Sequence, residues 1–172
     1  MDAHHDLVMK ARAAAGQGTR RYFAYSTILD RDAFVEWRSQ HGYDFFELPA
    51  GEQGEATGVS LVYDFPSRWW GGRVAGLADT AGARVCGVVF EIAEKDWPVI
   101  QHKEGAVTGM CVERAVTVTL SSGAVVEATA FTTNPARKSL EGPVSNRFVE
   151  ALVRGARSAG LPAAWVDALG KA

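Results

Sequence analysis

The sequence predicts an α+β domain in which a strand-rich body, curled toward a barrel, carries a few short helices. Three observations carry this expectation. Residues 84–92 (Arg-Val-Cys-Gly-Val-Val-Phe-Glu-Ile) form a nearly continuous apolar run, the pattern of a strand buried on both faces. Residues 111–120 and 124–133 both alternate and are joined by Ser121-Ser122-Gly123, the signature of a β-hairpin. Helical spacing is confined to separated short stretches, with no internal repeat and no composition break to mark a second domain.

The chain has 172 residues, 47% hydrophobic and 22% charged, enough to bury a substantial core and unlike a disordered chain. The formal charge is −2, and Lys and Arg are scattered, so neither nucleic acid nor an anionic membrane surface is an expected partner. Cys86 and Cys111 each lie in an apolar strand-like run and read as two buried thiols, not a disulfide framework. No apolar stretch has the length of a signal peptide or a bilayer span, so a cytoplasmic location is expected.

Taken in order, residues 1–18 read as a flexible leader or a short helix, with residues 19–172 as one domain. His4-His5 lacks a third ligand at metal-binding spacing. Residues 20–27, rich in aromatic and strand-forming side chains, predict the first strand. Asp30 then caps a helix with Ala33, Phe34 and Trp37 on one face. A tight loop joins the two at Ser26, Thr27, Ile28 and Leu29, where backbone N–H groups at the helix start can hold an anion or an oxyanion. Residues 43–48 predict another strand and residues 49–58 a polar loop. Residues 59–65 form a further strand, leading to the bend at Trp69-Trp70-Gly71-Gly72, where the two indoles read as braces for the loop. Residues 73–77 predict a short strand and residues 79–83 a turn.

After the buried strand, Pro98 predicts a helix that is distorted in its first turn or becomes regular only near Trp97-Pro98. This helix ends at Glu104-Gly105, the glycine suiting the left-handed conformation of a helix stop. Beyond the hairpin, residues 134–143 form a polar connection. Ser145 caps a helix over residues 146–159 that Gly160 stops, and Leu161-Pro162 starts a last one through Trp165 and Leu169. Glu104 taken alone is an ordinary helix-end carboxylate.

Three separated pieces give it company: Tyr22-Phe23-Ala24-Tyr25 running into a loop, Trp70-Gly71-Gly72 before the buried strand, and Glu104-Gly105 before Gly109-Met110. In that order and spacing the chain resembles the γ-glutamylcyclotransferases of the AIG2-like superfamily, particularly the animal type, from about Tyr22 to the last helix. The resemblance implies a γ-glutamylcyclotransferase-like mixed β-barrel with flanking helices. It also implies release of 5-oxoproline and an amine from a γ-glutamyl compound, without metal or organic cofactor. A homodimer is an expectation of the resemblance alone. The residue matching the family's essential acid is Glu104, and the loop matching its substrate loop is Tyr25-Ser26-Thr27-Ile28, followed by Leu29. Such a base works best with a pKa raised by burial.

The sequence departs from that pattern at informative places. The family's loop Gly, Ser and Asn are Ser26, Thr27 and Ile28 here, and tyrosine positions hold Cys111, Phe131 and Phe148. A more apolar pocket and a different head group are expected, the substrate being a γ-glutamyl amine or related amide. The alternative is a non-catalytic member of the same fold that binds a small molecule or a partner protein.

Overall fold

The computed structural model describes residues 3–172. Five strands close into a barrel in the order β1-β3-β2-β4-β5. They are β1 (Thr19–Ala24), β2 (Glu52–Ser67), β3 (Gly72–Ala93), β4 (Cys111–Leu120) and β5 (Val125–Thr133). All neighbours run antiparallel except β1 and β5, which meet in parallel at Tyr22 and Thr129 and complete the ring. The helices are α1 (Ala3–Ala14), α2 (Arg31–Gln40), α3 (Trp97–Lys103), α4 (Asn146–Ser158) and α5 (Ala163–Leu169). Among the described residues no helix is long and apolar enough to cross a membrane.

Strand periodicity sorts the side chains of β1 onto two faces. Phe23 and Tyr25 join Val59, Leu77, Val85 and Val118 in a cluster drawn largely from strands, which fills the barrel. Tyr22 and Ala24 turn the other way, into a second cluster with Phe90, Trp97, Ile100, Phe148 and Leu152, between the sheet and its helices. The site described below belongs to this second layer.

Several local expectations hold. Asp30 accepts from the N–H of Ala33 at 3.5 Å and caps α2. Ser145 accepts from the N–H of Phe148 at 3.1 Å and caps α4. Regular helix begins at Trp97 after a single 3₁₀ turn at Glu94–Asp96, with Pro98 in the first turn of α3, where its missing N–H costs nothing.

Three expectations are corrected. Residues 43–48 are turns and irregular chain, not a strand. Tyr43 and Phe46 are buried there by aromatic packing, Tyr43 against Trp37 and Phe46 against Phe34, so side-chain burial stands in for ladder pairing. The loop expected at 49–58 and the turn at 79–83 are largely strand: β2 and β3 form one long ladder whose register shifts between Thr57 and Val59. Gly58 and Gly82 take positive φ at that irregularity, so the glycines that read as turns accommodate a bulge. Finally, for residues 1–18 the flexible-leader reading gives way to its alternative, a short helix: Ala3–Ala14 is helical, anchored by buried Val8, by His5 Nδ1 on the carbonyl of His41 (2.8 Å) and by Arg12 on Asp96 (3.1 Å).

Candidate active site

Glu104 is positioned by the way α3 ends. Gly105 takes φ of 81°, and its N–H reaches the carbonyl of His102 at 3.2 Å while that of Ala106 reaches Gln101 at 2.9 Å. This is the paired hydrogen-bond pattern of a Schellman stop, which satisfies the last carbonyls of the helix. The carbonyl of Gly105 then accepts from the N–H groups of Met110 (3.0 Å) and Cys111 (3.2 Å) and from the Thr108 hydroxyl (3.1 Å). The turn is thereby tied to the start of β4, and Glu104 is fixed at the junction.

The half-buried Glu104 carboxylate accepts a hydrogen bond from the Tyr22 hydroxyl. Tyr22 is 1% exposed, and its ring is enclosed by Phe90, Trp97 and Phe131 at centroid distances of 6.4, 6.1 and 6.0 Å. Among the described residues no Lys, Arg or His comes within 4.0 Å of Glu104. Burial raises its pKa above the ordinary carboxylate value, opposed by the Tyr22 hydrogen bond and by the charge of Lys103.

The neighbours stay neutral. Burial first, then the nearby Glu104 charge, pushes both Tyr22 and Tyr25 well above the usual phenol range. Burial, with Glu104 and Asp64, pushes the Cys111 thiol up to about 12. A thiol so perturbed is not a nucleophile near neutral pH. The arrangement therefore offers one carboxylate with elevated proton affinity, a phenol to orient it, and weakly acidic walls, the equipment of a general base.

The loop predicted to hold substrate is a 3₁₀ turn at Thr27–Leu29. Its internal bonds use the N–H groups of Leu29 and Asp30; those of Ser26, Thr27 and Ile28 have no hydrogen-bond partner among the described residues. The side chains diverge. Tyr25 donates to the carbonyl of Phe131 at 2.5 Å and stacks on Phe23 in the barrel. Ser26 and Thr27 are half-buried, and Ile28 and Leu29 are buried. A cavity of about 360 Å³ is lined by Ile28, Leu29, Leu48, Val88 and Phe90, with Arg31, Gln53 and Ser158 among its polar residues. Glu104 does not line this cavity; Phe90 does, and it stacks on the Tyr22 that holds Glu104. The loop thus contributes Ile28 and Leu29 to a space whose lining does not include the carboxylate.

Two of the three expected phenol losses are of different kinds. Phe131 packs on Tyr22 and Trp97, so it removes polarity close to Glu104. Phe148 instead meets Trp70 edge-on at 5.3 Å, and Trp70 also receives Ser145 Oγ on its carbonyl at 2.6 Å. Trp69, by contrast, is 77% exposed.

The family assignment rests on sequence. Residues 84–169, half the chain and including α3, Glu104 and the β4–β5 hairpin, match the AIG2-like family. The chain belongs to the AIG2-like family. Solved structures share its fold. A γ-glutamyl cyclotransferase superposes with a TM-score of 0.72 at 20% identity, over 88% of this chain and 86% of that one. An uncharacterised human protein gives 0.69 at 21% identity with the same coverages, 88% and 86%. A yeast γ-glutamyl cyclotransferase specific to glutathione gives 0.59 at 11% identity, over 89% and 94%. No curated protein matches the sequence. This AIG2-like chain therefore has the γ-glutamylcyclotransferase fold, the α+β barrel that its sequence predicts.

Sequence reading missed two residues of the site. Tyr22 was visible as part of an aromatic strand, but nothing local tells which ring on an alternating strand will face a carboxylate 82 positions away. Gly155 was invisible as well: a Cβ there would lie 2.8 Å from the N of Asp30, so its absence lets α4 press against the end of the loop. Helical spacing around Gly155 carried no signal of this approach.

Proposed function

We propose that this chain is a γ-glutamylcyclotransferase-type enzyme that cleaves a γ-glutamyl amine or a related amide, releasing 5-oxoproline and an amine, with Glu104 as general acid/base. The observation that carries the reading is the half-buried carboxylate of Glu104, oriented by a phenol and with no cation within 4.0 Å among the described residues, at the turn tied between α3 and β4.

The chemistry follows from that carboxylate. The substrate α-amine attacks its own γ-carbonyl; a C–N bond forms, closing a five-membered ring. Glu104 takes a proton from the attacking nitrogen. Collapse of the tetrahedral intermediate breaks the original amide C–N bond, and the same carboxyl returns the proton to the departing amine. Because both partners lie in one molecule, much of the rate gain comes from holding a folded-back conformer. The unpartnered N–H groups of Ser26, Thr27 and Ile28 are suited to the developing oxyanion.

The cavity beside Ile28 and Leu29, lined by both apolar and polar residues and from which Glu104 is absent, supports a second reading, a non-catalytic member that binds a small molecule. One experiment separates them: incubation with a panel of γ-glutamyl amines and dipeptides, with 5-oxoproline quantified, alongside Glu104→Gln. Product formed by the wild type and reduced 10²–10⁴-fold in the variant supports the enzyme. Equal turnover by both overturns the role of Glu104, and binding without turnover favours the second reading.

A further inference from the structure

Next to Glu104 stands a cation that the proton-transfer scheme leaves without a task. Lys103 closes α3, is half-buried, and holds its ammonium 5.5 Å from the centre of the Trp37 ring on α2. Among the described residues no carboxylate lies within 4.0 Å of it and no hydrogen bond reaches it. The two acidic groups whose charges bear on it are committed elsewhere. Glu104 accepts from Tyr22, and Asp30 accepts from the Ala33 N–H and from Arg154 at 3.2 Å. Lys103 is also the one cation whose charge bears on Glu104 among the described residues.

An ammonium withdrawn from water without a carboxylate partner is a standing cost in the free protein, one that an incoming anion relieves. Part of that cost shows in its proton affinity: burial pushes Lys103 below the usual lysine range, with Glu104 and Asp30 opposing. The aromatic face of Trp37 offers partial compensation and leaves the ammonium able to accept another partner.

We propose that Lys103 receives the α-carboxylate of the substrate, so that the α-amine on the same carbon faces Glu104. The assignment rests on the cyclotransferase reading above and goes beyond it by naming the group that recognises the substrate head. A γ-glutamyl compound carries an ammonium and a carboxylate on one carbon. Lys103 and Glu104 present the complementary charges on consecutive residues. The reverse orientation sets carboxylate against carboxylate, which like-charge repulsion penalises. With the carboxylate on Lys103, the N–H groups of Ser26, Thr27 and Ile28 are left for the oxyanion. The cation also compensates for the loss at Ile28, whose side chain has no donor to offer a carboxylate.

The test pairs two substrates with three proteins. Turnover of a chromogenic γ-glutamyl anilide and of its α-carboxamide analogue is measured for wild type, Lys103→Met and Lys103→Arg, with folding checked by circular dichroism and thermal melting. Wild type is expected to favour the carboxylate roughly 10- to 100-fold in kcat/KM. Lys103→Met is expected to lose that preference through the carboxylate substrate alone, and Lys103→Arg to keep most of it. A preference undiminished in Lys103→Met overturns the proposal, and so does loss of both substrates equally in a folded variant.

If wild type turns over neither anilide, the enzymatic reading fails on its own. The role of Lys103 is then read from calorimetric titration with 5-oxoproline and its carboxamide. Binding that favours the acid and loses this preference in Lys103→Met supports it; no binding, or no discrimination, overturns it.

Discussion

Replacing Tyr22 with Phe removes one oxygen from the site and little else. The ring keeps its contacts with Phe90, Trp97 and Phe131, and at 1% exposure the position has no room for a new solvent contact. What disappears is the hydroxyl that donates to Glu104, one of the two influences that hold its pKa down against burial. A hydrogen bond to an ionised group contributes about 1.5–3 kcal/mol. Part of this is recovered when the carboxylate tilts toward water, so a net effect near 1.4 kcal/mol is the working figure, equivalent to about one pH unit. In the proposed reaction Glu104 must be ionised to accept a proton, and its ionisation now requires higher pH. The acid limb of the kcat/KM–pH profile, measured with the best γ-glutamyl amine from the panel, therefore moves upward by roughly one pH unit. Above that limb, activity returns to within a few-fold of wild type. An unmoved limb, or one displaced downward, refutes the coupling between Tyr22 and the base.

Three further predictions concern stability. Glu104 has a folded-state pKa above its unfolded value because of burial, so the folded state binds the extra proton. Its favourable contribution is complete below the ordinary carboxylate pKa and is lost as pH rises through the folded one. Glu104→Gln does not titrate; its urea-unfolding stability relative to wild type should rise between pH 4 and pH 8, and a pH-independent difference would contradict this. Ser145→Ala removes both the α4 cap and the donor to the Trp70 carbonyl, with an expected loss of about 2 kcal/mol; a change under about 0.5 kcal/mol in denaturant unfolding would show that water replaces both bonds. Gly87→Ala places a Cβ 2.4 Å from the carbonyl oxygen of Ala24 and 2.7 Å from the Phe23 ring. Because the nearest obstacle is backbone, a cost toward the upper end of about 1–3 kcal/mol is expected in the same assay, and wild-type stability would show that β1 yields freely.

What local chemistry governs was open to reading from the residues. The β4–β5 hairpin follows from alternation across a Ser-Ser-Gly turn, and β4 runs over Cys111–Leu120 as that alternation predicts. Asp30, Pro98 and Ser145 each act through a neighbour three residues away or less, by capping or by lacking an N–H. The ordered fragments around Tyr22, Trp70 and Glu104 were enough to indicate the family fold. Where a residue's conformation depends on distant chain, local pattern misled. The aromatics at Tyr43 and Phe46 look like a strand, yet they are buried by helices and rings without a ladder. Gly58 and Gly82 look like turns, yet each sits inside a ladder whose partner strand tolerates the irregularity.

Glu104 divides along the same line. The sequence alone determined that a carboxylate stands at a helix stop, because Gly105 and the preceding helical spacing are local facts. Only the tertiary structure decided what that carboxylate faces. Barrel closure sets the Tyr22 hydroxyl against it, and α2 sets Trp37 beneath Lys103, while the cavity at Ile28 is lined without it. Helix stops are governed by dihedral angles and hydrogen bonds within a few residues. Proton affinity is governed by what is packed around a charge, and those groups come from β1, α2 and β3, brought together only when the ring of strands closes.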